Sequence, residues 1–262
     1  MFFKKLKSEV WDNVWKGNTK FPIYDKDYEE NLSEYENVFK QTFQDLNGRK
    51  IIEIWCAPWG NLYWFYKKFG FDIYWIEYSN VWMDLTQKNF ESLWIKDKFW
   101  NIFKEDLTKM SPEFLSNYKN IFDVVFSAWF MEHFENLDYI FEIQRDLVTP
   151  DWLVIATIPQ FSFPYLFLSL FLAPRWTFFL HNWRICNYYS YKKILERHFD
   201  IIEYRWANVS LYESYMVKQY KIIYLFFQFL RKIKFIDNYI SKNKDFFSPW
   251  LFFIWKFKDI WN

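Results

Sequence analysis

The segment from Ile51 to Asn61 reads Ile-Ile-Glu-Ile-Trp-Cys-Ala-Pro-Trp-Gly-Asn and decides how the rest of the chain is interpreted. Its apolar start predicts a strand over residues 50–54, and the residues after Trp59 open a helix that ends at Gly70. A loop that turns sharply from a strand into a helix normally carries glycine, because only glycine adopts any backbone conformation at little steric cost. Here tryptophan stands at 55 and 59, where glycine is expected.

Tryptophan is overabundant and glycine is scarce throughout the chain. The 262 residues include 17 Trp and 4 Gly. Together they are about as numerous as glycine alone is in a typical globular chain, where it makes up about 7%. We interpret many tryptophans as glycine positions: a gene in which UGA encodes glycine gives this pattern when UGA is translated as tryptophan. The positions that fit best are Trp55, Trp59, Trp75, Trp129 and Trp152, whereas Trp11, Trp15, Trp250, Trp255 and Trp261 are undecided.

Local sequence context supports this interpretation. Pro150-Asp151-Trp152 precedes an apolar run and predicts a turn if glycine stands at 152. Trp94 follows a helical pattern at a position where a helix C-terminus favours glycine. Trp75 and Trp129 lie at or just beyond the ends of predicted strands. If every tryptophan is authentic, the alternative is a non-catalytic, aromatic-rich interaction protein in which Trp55 and Trp59 fill the loop.

Strands and helices alternate along the chain. Strands are predicted at 50–54, 72–76, 99–103, 122–127, 153–158, 200–206 and 250–258, and helices at 61–70, 81–93, 140–147, 190–198 and 220–240. This pattern predicts an α/β fold with a doubly wound, Rossmann-like sheet of seven strands. We expect the sheet to be mostly parallel with a late antiparallel strand, and helices to cover both faces.

Composition excludes several classes of protein. The net charge of +1 gives no basic surface for nucleic acid. Cys56 and Cys186 form no disulfide framework, so we expect a reducing, cytoplasmic location. We expect no signal peptide, and we find no apolar run of the roughly 18 residues that a spanning helix needs. The three histidines and two cysteines show no metal-ligand spacing, so we expect no metal.

With glycine at 55 and 59, the opening segment resembles motif I of the class I S-adenosylmethionine-dependent methyltransferases, and within them the small-molecule type 11/12 group. That motif reads acidic-x-Gly-x-Gly/Ala-x-Gly. Four further stretches resemble the family's motifs in order: 75–79, which contains Glu77; 105–107, which contains Asp106; 122–134, which ends in Glu-His-Phe; and 150–155. The resemblance covers residues 48–160.

The resemblance implies S-adenosylmethionine as cofactor, with Glu77 on the ribose and Asp106 on the adenine amine. The residues that it implies for the cofactor are Glu53, Trp55, Cys56, Ala57, Trp59, Gly60, Asn61, Glu77, Tyr78, Ser79, Asp106, Leu107, Ser127 and Ala128. His133 is the candidate general base, although we slightly favour the alternative that the Glu132-His133 pair organises a loop. His181 lies in an insertion and His198 at a helix end, so both are weaker candidates.

The implied function is methyl transfer to a small-molecule or lipid-like acceptor. The alternative enzyme is a nicotinamide-dependent oxidoreductase, which normally requires Gly-x-Gly-x-x-Gly. The restored glycines at 55, 59 and 60 favour the methyltransferase. The apolar segments at 161–174 and 220–240 are expected to shape the acceptor pocket, and we favour a buried lid over contact with a membrane surface.

We expect one domain over residues 1–262. Within it, residues 1–47 form an N-terminal helical segment and residues 48–160 form the cofactor-binding core. Residues 161–189 and 208–248 are insertions near the acceptor site.

Overall fold

The computed structural model describes residues 36, 39–40, 45–55, 61–92, 101–160, 181–206, 225, 229, 232–242 and 250–257. The chain divides into two compact units. The first unit comprises Lys4–Phe130 and Asn136–Ile155, and the second comprises Met1–Phe3, Met131–Glu135 and Ala156–Asn262. No helix in these described ranges combines the length and the apolar character needed to cross a bilayer.

Seven strands form one sheet in the order β3-β2-β1-β4-β5-β7-β6. They are β1 (Lys50–Ile54), β2 (Asp72–Glu77), β3 (Ile102–Lys104), β4 (Phe122–Ala128), β5 (Val148–Pro159), β6 (Phe199–Trp206) and β7 (Trp250–Phe257). β1 is parallel to β2 and β4, β2 is parallel to β3, and β6 is antiparallel to β7. The predicted α/β sheet, mostly parallel with a late antiparallel strand, is confirmed.

Six helices have both ends within the described ranges. They are α1 (Asn61–Phe69), α2 (Asn80–Ser92), α3 (Pro112–Tyr118), α4 (Asp138–Leu147), α5 (Tyr188–Leu195) and α6 (Lys234–Lys242), and a 3₁₀ turn spans Met131–His133. The sequence analysis missed α3. This helix begins at Pro112 and is capped by Ser111, whose Oγ accepts a hydrogen bond of 3.2 Å from the backbone N–H of Phe114. That capping pattern is the signal that could have revealed it.

The predicted turn at Pro150-Asp151-Trp152 is wrong. β5 runs unbroken from Val148 to Pro159, so the backbone at 152 is extended. The chain changes direction earlier, because Val148 at the C-terminal cap of α4 is already extended, with φ −89° and ψ 156°. Trp75 also differs from its expected place at a strand end, since it lies inside β2, where it is fully buried and pairs with Glu53 on β1.

Interactions at the amino end of β1 fix its register against β4. The Nη1 of Arg49 donates to Oδ1 of Asp123 at 2.8 Å, and the backbone N–H of Lys50 donates to Oδ2 of the same carboxylate at 2.8 Å. Ile51, Ile52 and Ile54 on β1 are fully buried. Their burial holds β1 in the core of the first unit.

Gly48 and Gly70 both have left-handed backbone, but they differ in the space available for a side chain. Gly48 has φ +73° with no atom near an added Cβ, whereas at Gly70, with φ +72°, a Cβ would overlap the side-chain oxygen of Asn47. We expect Gly48→Ala to lower the free energy of unfolding by about 1 kcal/mol through backbone strain alone. Gly70→Ala should cost more, because Asn47 must also move. Urea unfolding of both variants measures the difference, and equal losses would contradict the described packing.

Candidate functional site

The carboxyl ends of β1, β2 and β4 meet at one edge of the sheet in the first unit. The register pairs Ile54 of β1 with Ile76 of β2 on one side and with Ser127 of β4 on the other. The chain moves outward from β1 to β2 and β3 and then returns as β4, so the strand order reverses between β1 and β4. In open α/β sheets, ligands bind at such a switch point, outside the carboxyl ends of the strands.

Glu53 brings a buried carboxyl group to this edge. Its side chain lies on β1 and is 1% exposed. Oε1 accepts a hydrogen bond of 3.0 Å from Nδ2 of Asn61, the first residue of α1, whereas Oε2 has no hydrogen-bond partner among the described residues. Burial raises the pKa of Glu53 to about 8; the hydrogen bond from Asn61 opposes the rise, and the charge of Glu77 adds to it. Such an oxygen suits a cationic or hydroxyl-bearing ligand.

Glu77 is the last residue of β2 and is also buried, at 4% exposure. Its Oε1 accepts hydrogen bonds from the backbone N–H groups of Tyr78 and Ser79, both at 2.7 Å. These bonds fix the orientation of the carboxylate. With Glu53 and Glu77 on neighbouring strands, this edge of the sheet favours a ligand with positive charge or hydroxyl donors.

Ser79 and Tyr78 support Glu77 through their backbones. The Oγ of Ser79 accepts from the N–H of Trp82 at 3.2 Å, and its carbonyl accepts from the N–H of Met83 at 3.0 Å. Ser79 therefore caps the N-terminus of α2. Tyr78 is exposed.

The end of β4 contributes Ser127 and Ala128. Ser127 is fully buried, and no described residue forms a hydrogen bond with its Oγ. Ala128 is partly exposed. A buried hydroxyl without a partner at the switch point is a second group that a bound ligand could satisfy.

Trp55 and Trp129, which directly follow β1 and β4, adopt left-handed backbone. Their φ angles are +62° and +56°, and Asn120 is the one other non-glycine residue with positive φ in the described ranges. This region favours glycine and tolerates asparagine, but it strains tryptophan. The ring of Trp55 lies 5.5 Å from that of Phe130. Two of the predicted glycine positions therefore have the backbone that glycine prefers.

The side chain of Asp106 stabilises a local turn by accepting hydrogen bonds from Thr108. Its Oδ1 accepts from the N–H and the hydroxyl of Thr108, at 2.9 and 2.6 Å. Leu107 beside it is buried. The predicted adenine contact of these two residues stays a prediction. Eight residues singled out from the sequence lie outside the described residues: Trp11, Trp15, Cys56, Ala57, Trp59, Gly60, Trp94 and Trp261.

A separate cluster lies in the second unit. Glu132 and His133 belong to the 3₁₀ turn, and each offers a ligand atom that lies within 4.8 Å of the others and of one on His181. Glu132 is fully buried, and neither carboxylate oxygen has a hydrogen-bond partner in the described part of the chain. Burial raises its pKa well above the usual value. The sequence analysis missed this grouping, because His181 is distant along the chain and no ligand spacing marks it.

The chain matches no protein-family model and no curated protein. Solved structures do match it. Phosphoethanolamine N-methyltransferase 2 of Haemonchus contortus, in complex with S-adenosyl-L-methionine, superposes with a TM-score of 0.58 at 15% identity over 96% of this chain and 60% of that one. A SAM-dependent methyltransferase from Archaeoglobus fulgidus gives 0.57 at 16% identity over 95% and 99% of the two chains. The fold is that of S-adenosylmethionine-dependent methyltransferases.

Another match is geranyl diphosphate C-methyltransferase of Streptomyces coelicolor A3(2), with a TM-score of 0.54 at 10% identity over 90% of this chain and 82% of that one. This chain spans about 60% of the length of the Haemonchus enzyme.

The strand order of the sheet bears on the oxidoreductase alternative. The dinucleotide-binding sheet normally has the order 3-2-1-4-5-6, whereas here β7 lies between β5 and β6.

The raised pKa of Glu53 predicts a pH dependence of stability. Between pH 4.5, the ordinary pKa of a glutamate side chain, and about pH 8, Glu53 in the folded protein retains a proton that the unfolded chain releases. The stability contribution from this proton is therefore full at low pH and is lost as the pH rises to about 8. We expect Glu53→Gln to remove this contribution, which is at most about 1.4 kcal/mol per pH unit.

Urea unfolding of the wild type and of Glu53→Gln from about pH 5 to about pH 8 measures this contribution. Glu91→Gln, at an exposed glutamate of α2, is the control and should keep the wild-type slope. Parallel pH profiles for the wild type and Glu53→Gln would mean that Glu53 is not held protonated in the fold.

Proposed function

We propose that the protein transfers a methyl group from S-adenosylmethionine to a small-molecule or lipid-like acceptor. The observation that carries this proposal is the pair of buried acids, Glu53 and Glu77, at the carboxyl ends of neighbouring strands beside the switch point. The fold supports it, because methyltransferases of the same fold bind S-adenosyl-L-methionine or S-adenosyl-L-homocysteine.

The described residues fit this cofactor. The Glu77 carboxylate, oriented by two backbone N–H groups, would accept hydrogen bonds from the ribose hydroxyls. The buried oxygens of Glu53 and Ser127 that lack described partners would meet the polar groups of the methionine part. The segment 55–61 would cradle methionine and ribose, with Asp106 and Leu107 near the adenine. Tyr78, Ser79 and Ala128 would line the same edge.

When bound, the cofactor supplies a methyl group on a sulfonium sulfur, which keeps the bonding electron pair as the acceptor nucleophile takes the methyl. The protein contributes orientation, because the nucleophile, the methyl carbon and the sulfur must lie in line. The Glu77 carboxylate at this edge favours binding of the cofactor, whose sulfur is positively charged, over the product, whose sulfur is neutral. His133 remains the sequence-based candidate for the acceptor's proton, although Glu132 and His181 beside it offer another role.

The acceptor is proposed to be apolar. The solved neighbours are named for chemically different acceptors, phosphoethanolamine and geranyl diphosphate. In this chain, Phe235 and Tyr239 lie one helical turn apart on α6, and both are exposed. Exposed aromatic side chains on one helix suit a lipid-like acceptor. We place the protein in the cytoplasm, because Cys186 is a buried free thiol.

We also propose that Trp55 and Trp129 stand where the gene encodes glycine by UGA. Their left-handed backbone supports this. Trp75 supports it through a different feature: its indole nitrogen is buried with no hydrogen-bond partner among the described residues, although its backbone is extended. The extended backbone at Trp152 gives no such support. Reading the codons tests the proposal, and UGG at 55 and 129 would overturn it.

Paired substitutions at one position separate backbone strain from side-chain packing. Trp55→Gly and Trp55→Ala both remove the indole, but only glycine relieves the left-handed strain. We expect the Gly variant to be more stable than the Ala variant by about 1 kcal/mol in urea unfolding. At Trp75, on the extended backbone of β2, alanine should be the more stable. The same order at both positions would remove the backbone argument for glycine at 55.

Calorimetric titration with S-adenosylmethionine tests the cofactor site. We expect binding by a form with glycine at 55, 59, 75, 129 and 152 and none by the protein with tryptophan there, because small loop residues let the backbone approach the ligand. In the glycine form, Glu77→Ala should weaken binding at least tenfold, which is about 1.4 kcal/mol. Asp72→Ala, at the opposite end of β2, is the matched control and should bind normally. Unchanged affinity of Glu77→Ala would remove Glu77 from the site.

A further inference from the structure

Glu132 is the least satisfied acid in the described structure. It is fully buried, and neither of its carboxylate oxygens has a hydrogen-bond partner among the described residues. An ionised carboxylate in this position is strongly unfavourable without a counter-charge. Protonation would remove the charge but would leave a buried O–H group and a carbonyl oxygen without partners. A bound cation would satisfy both oxygens and the charge.

Two imidazoles lie beside this carboxylate. The ring centroids of His133 and His181 are 4.7 Å apart, and both side chains are partly buried. One ligand atom from each of Glu132, His133 and His181 lies within 4.8 Å of the other two. Atoms at that separation can ligate one ion at the usual metal–nitrogen and metal–oxygen distances of about 2.0–2.2 Å with small side-chain movements.

Asn182 holds the two chain segments of the cluster together. Its backbone N–H donates to the carbonyl of Glu132 at 2.5 Å, and its side-chain Nδ2 donates to the carbonyl of Phe134 at 3.1 Å. The two accepting carbonyls, of Glu132 and Phe134, lie on either side of His133 in the sequence. The donor of both bonds, Asn182, directly follows His181. The placement of the imidazoles is therefore set by the backbone, as in sites whose ligands are positioned before the ion binds.

The other groups around Glu132 restrict the kind of ion. Cys186 and Tyr191 are buried nearby, and burial together with the charge of Glu132 raises the pKa of both groups well above their usual values. The Cys186 thiol contacts the carbonyl of Asn182 at 3.3 Å. The Cys186 sulfur is not among the grouped ligand atoms of Glu132, His133 and His181. The donor set is then two nitrogens and one carboxylate.

We propose that Glu132, His133 and His181 form a binding site for a divalent first-row transition-metal ion. Two imidazoles and one carboxylate suit zinc, iron, manganese or cobalt, whereas magnesium and calcium prefer all-oxygen sites. Three protein ligands leave at least one coordination position open for water or a substrate oxygen. The site goes beyond the proposed methyl transfer, which needs no metal for cofactor binding.

Titration of the chelator-treated full chain with Zn²⁺ tests the site, and no methyl donor is needed. We expect binding of one ion per chain, and visible absorption bands of low symmetry when Co²⁺ replaces Zn²⁺. Loss of a residue that only hydrogen-bonds to a metal ligand weakens metal binding by about 10–100-fold. Glu132→Gln and His181→Ala each change a ligand itself and should weaken Zn²⁺ binding by at least that much. His198→Ala is the matched control, because the third histidine lies outside the cluster, and it should bind Zn²⁺ like the wild type.

Thermal unfolding shows whether a variant that fails to bind Zn²⁺ is still folded. Glu132→Gln is nearly isosteric and removes a buried charge, so the metal-free variant should stay folded and lose the rise in Tm that Zn²⁺ gives the wild type. Absence of one-to-one Zn²⁺ binding by the wild type would overturn the proposal. Equal weakening by His181→Ala and His198→Ala, or binding of Mg²⁺ in preference to Zn²⁺, would overturn it as well.

Discussion

The parallel register of β1 between β2 and β4 is the constraint on which the candidate cofactor site depends. It places the ends of three strands at one edge, so that Glu53, Glu77 and Ser127 come from three different strands to the same switch point. A slip of one residue would turn Glu53 to the other face of the sheet, because side chains alternate along a strand. The two bonds from Arg49 and Lys50 to Asp123 oppose such a slip.

Buried acids distinguish both candidate sites from the rest of the core. Glutamate is almost never fully buried unless it is paired, yet Glu53, Glu77 and Glu132 are each nearly or fully buried. Glu53 and Glu77 are partly compensated, by Asn61 and by two backbone N–H groups. Glu132 has no described partner at its carboxylate. Buried acids that cost stability in this way cluster at functional sites. Glu53 and Glu77 already accept hydrogen bonds, which suits a hydrogen-bonding cofactor. The Glu132 carboxylate accepts none from the described residues, which suits a cation.

The sequence predicted the framework of the first unit because strand patterns and glycine turns are local. β1, β2 and β4 occupy nearly the predicted positions, and Trp55 and Trp129, two of the positions where the sequence predicts glycine, have positive φ. The error at Pro150–Trp152 arose because a Pro-Asp pair is typical of turns, whereas here the strand begins at the C-terminal cap of α4. The grouping of His181 with Glu132 depends on hydrogen bonds of Asn182 to a distant segment, and no local pattern encodes such bonds.

We propose that S-adenosylmethionine binds at the carboxyl ends of β1, β2 and β4, beside a loop that requires glycine. A crystal structure of the glycine-substituted protein with S-adenosylhomocysteine tests it most directly. We expect the ribose hydroxyls within hydrogen-bonding distance of the Glu77 carboxylate and the methionine part against the segment 55–61. A nucleoside bound elsewhere on the protein, with no contact to Glu53 or Glu77, would contradict this assignment.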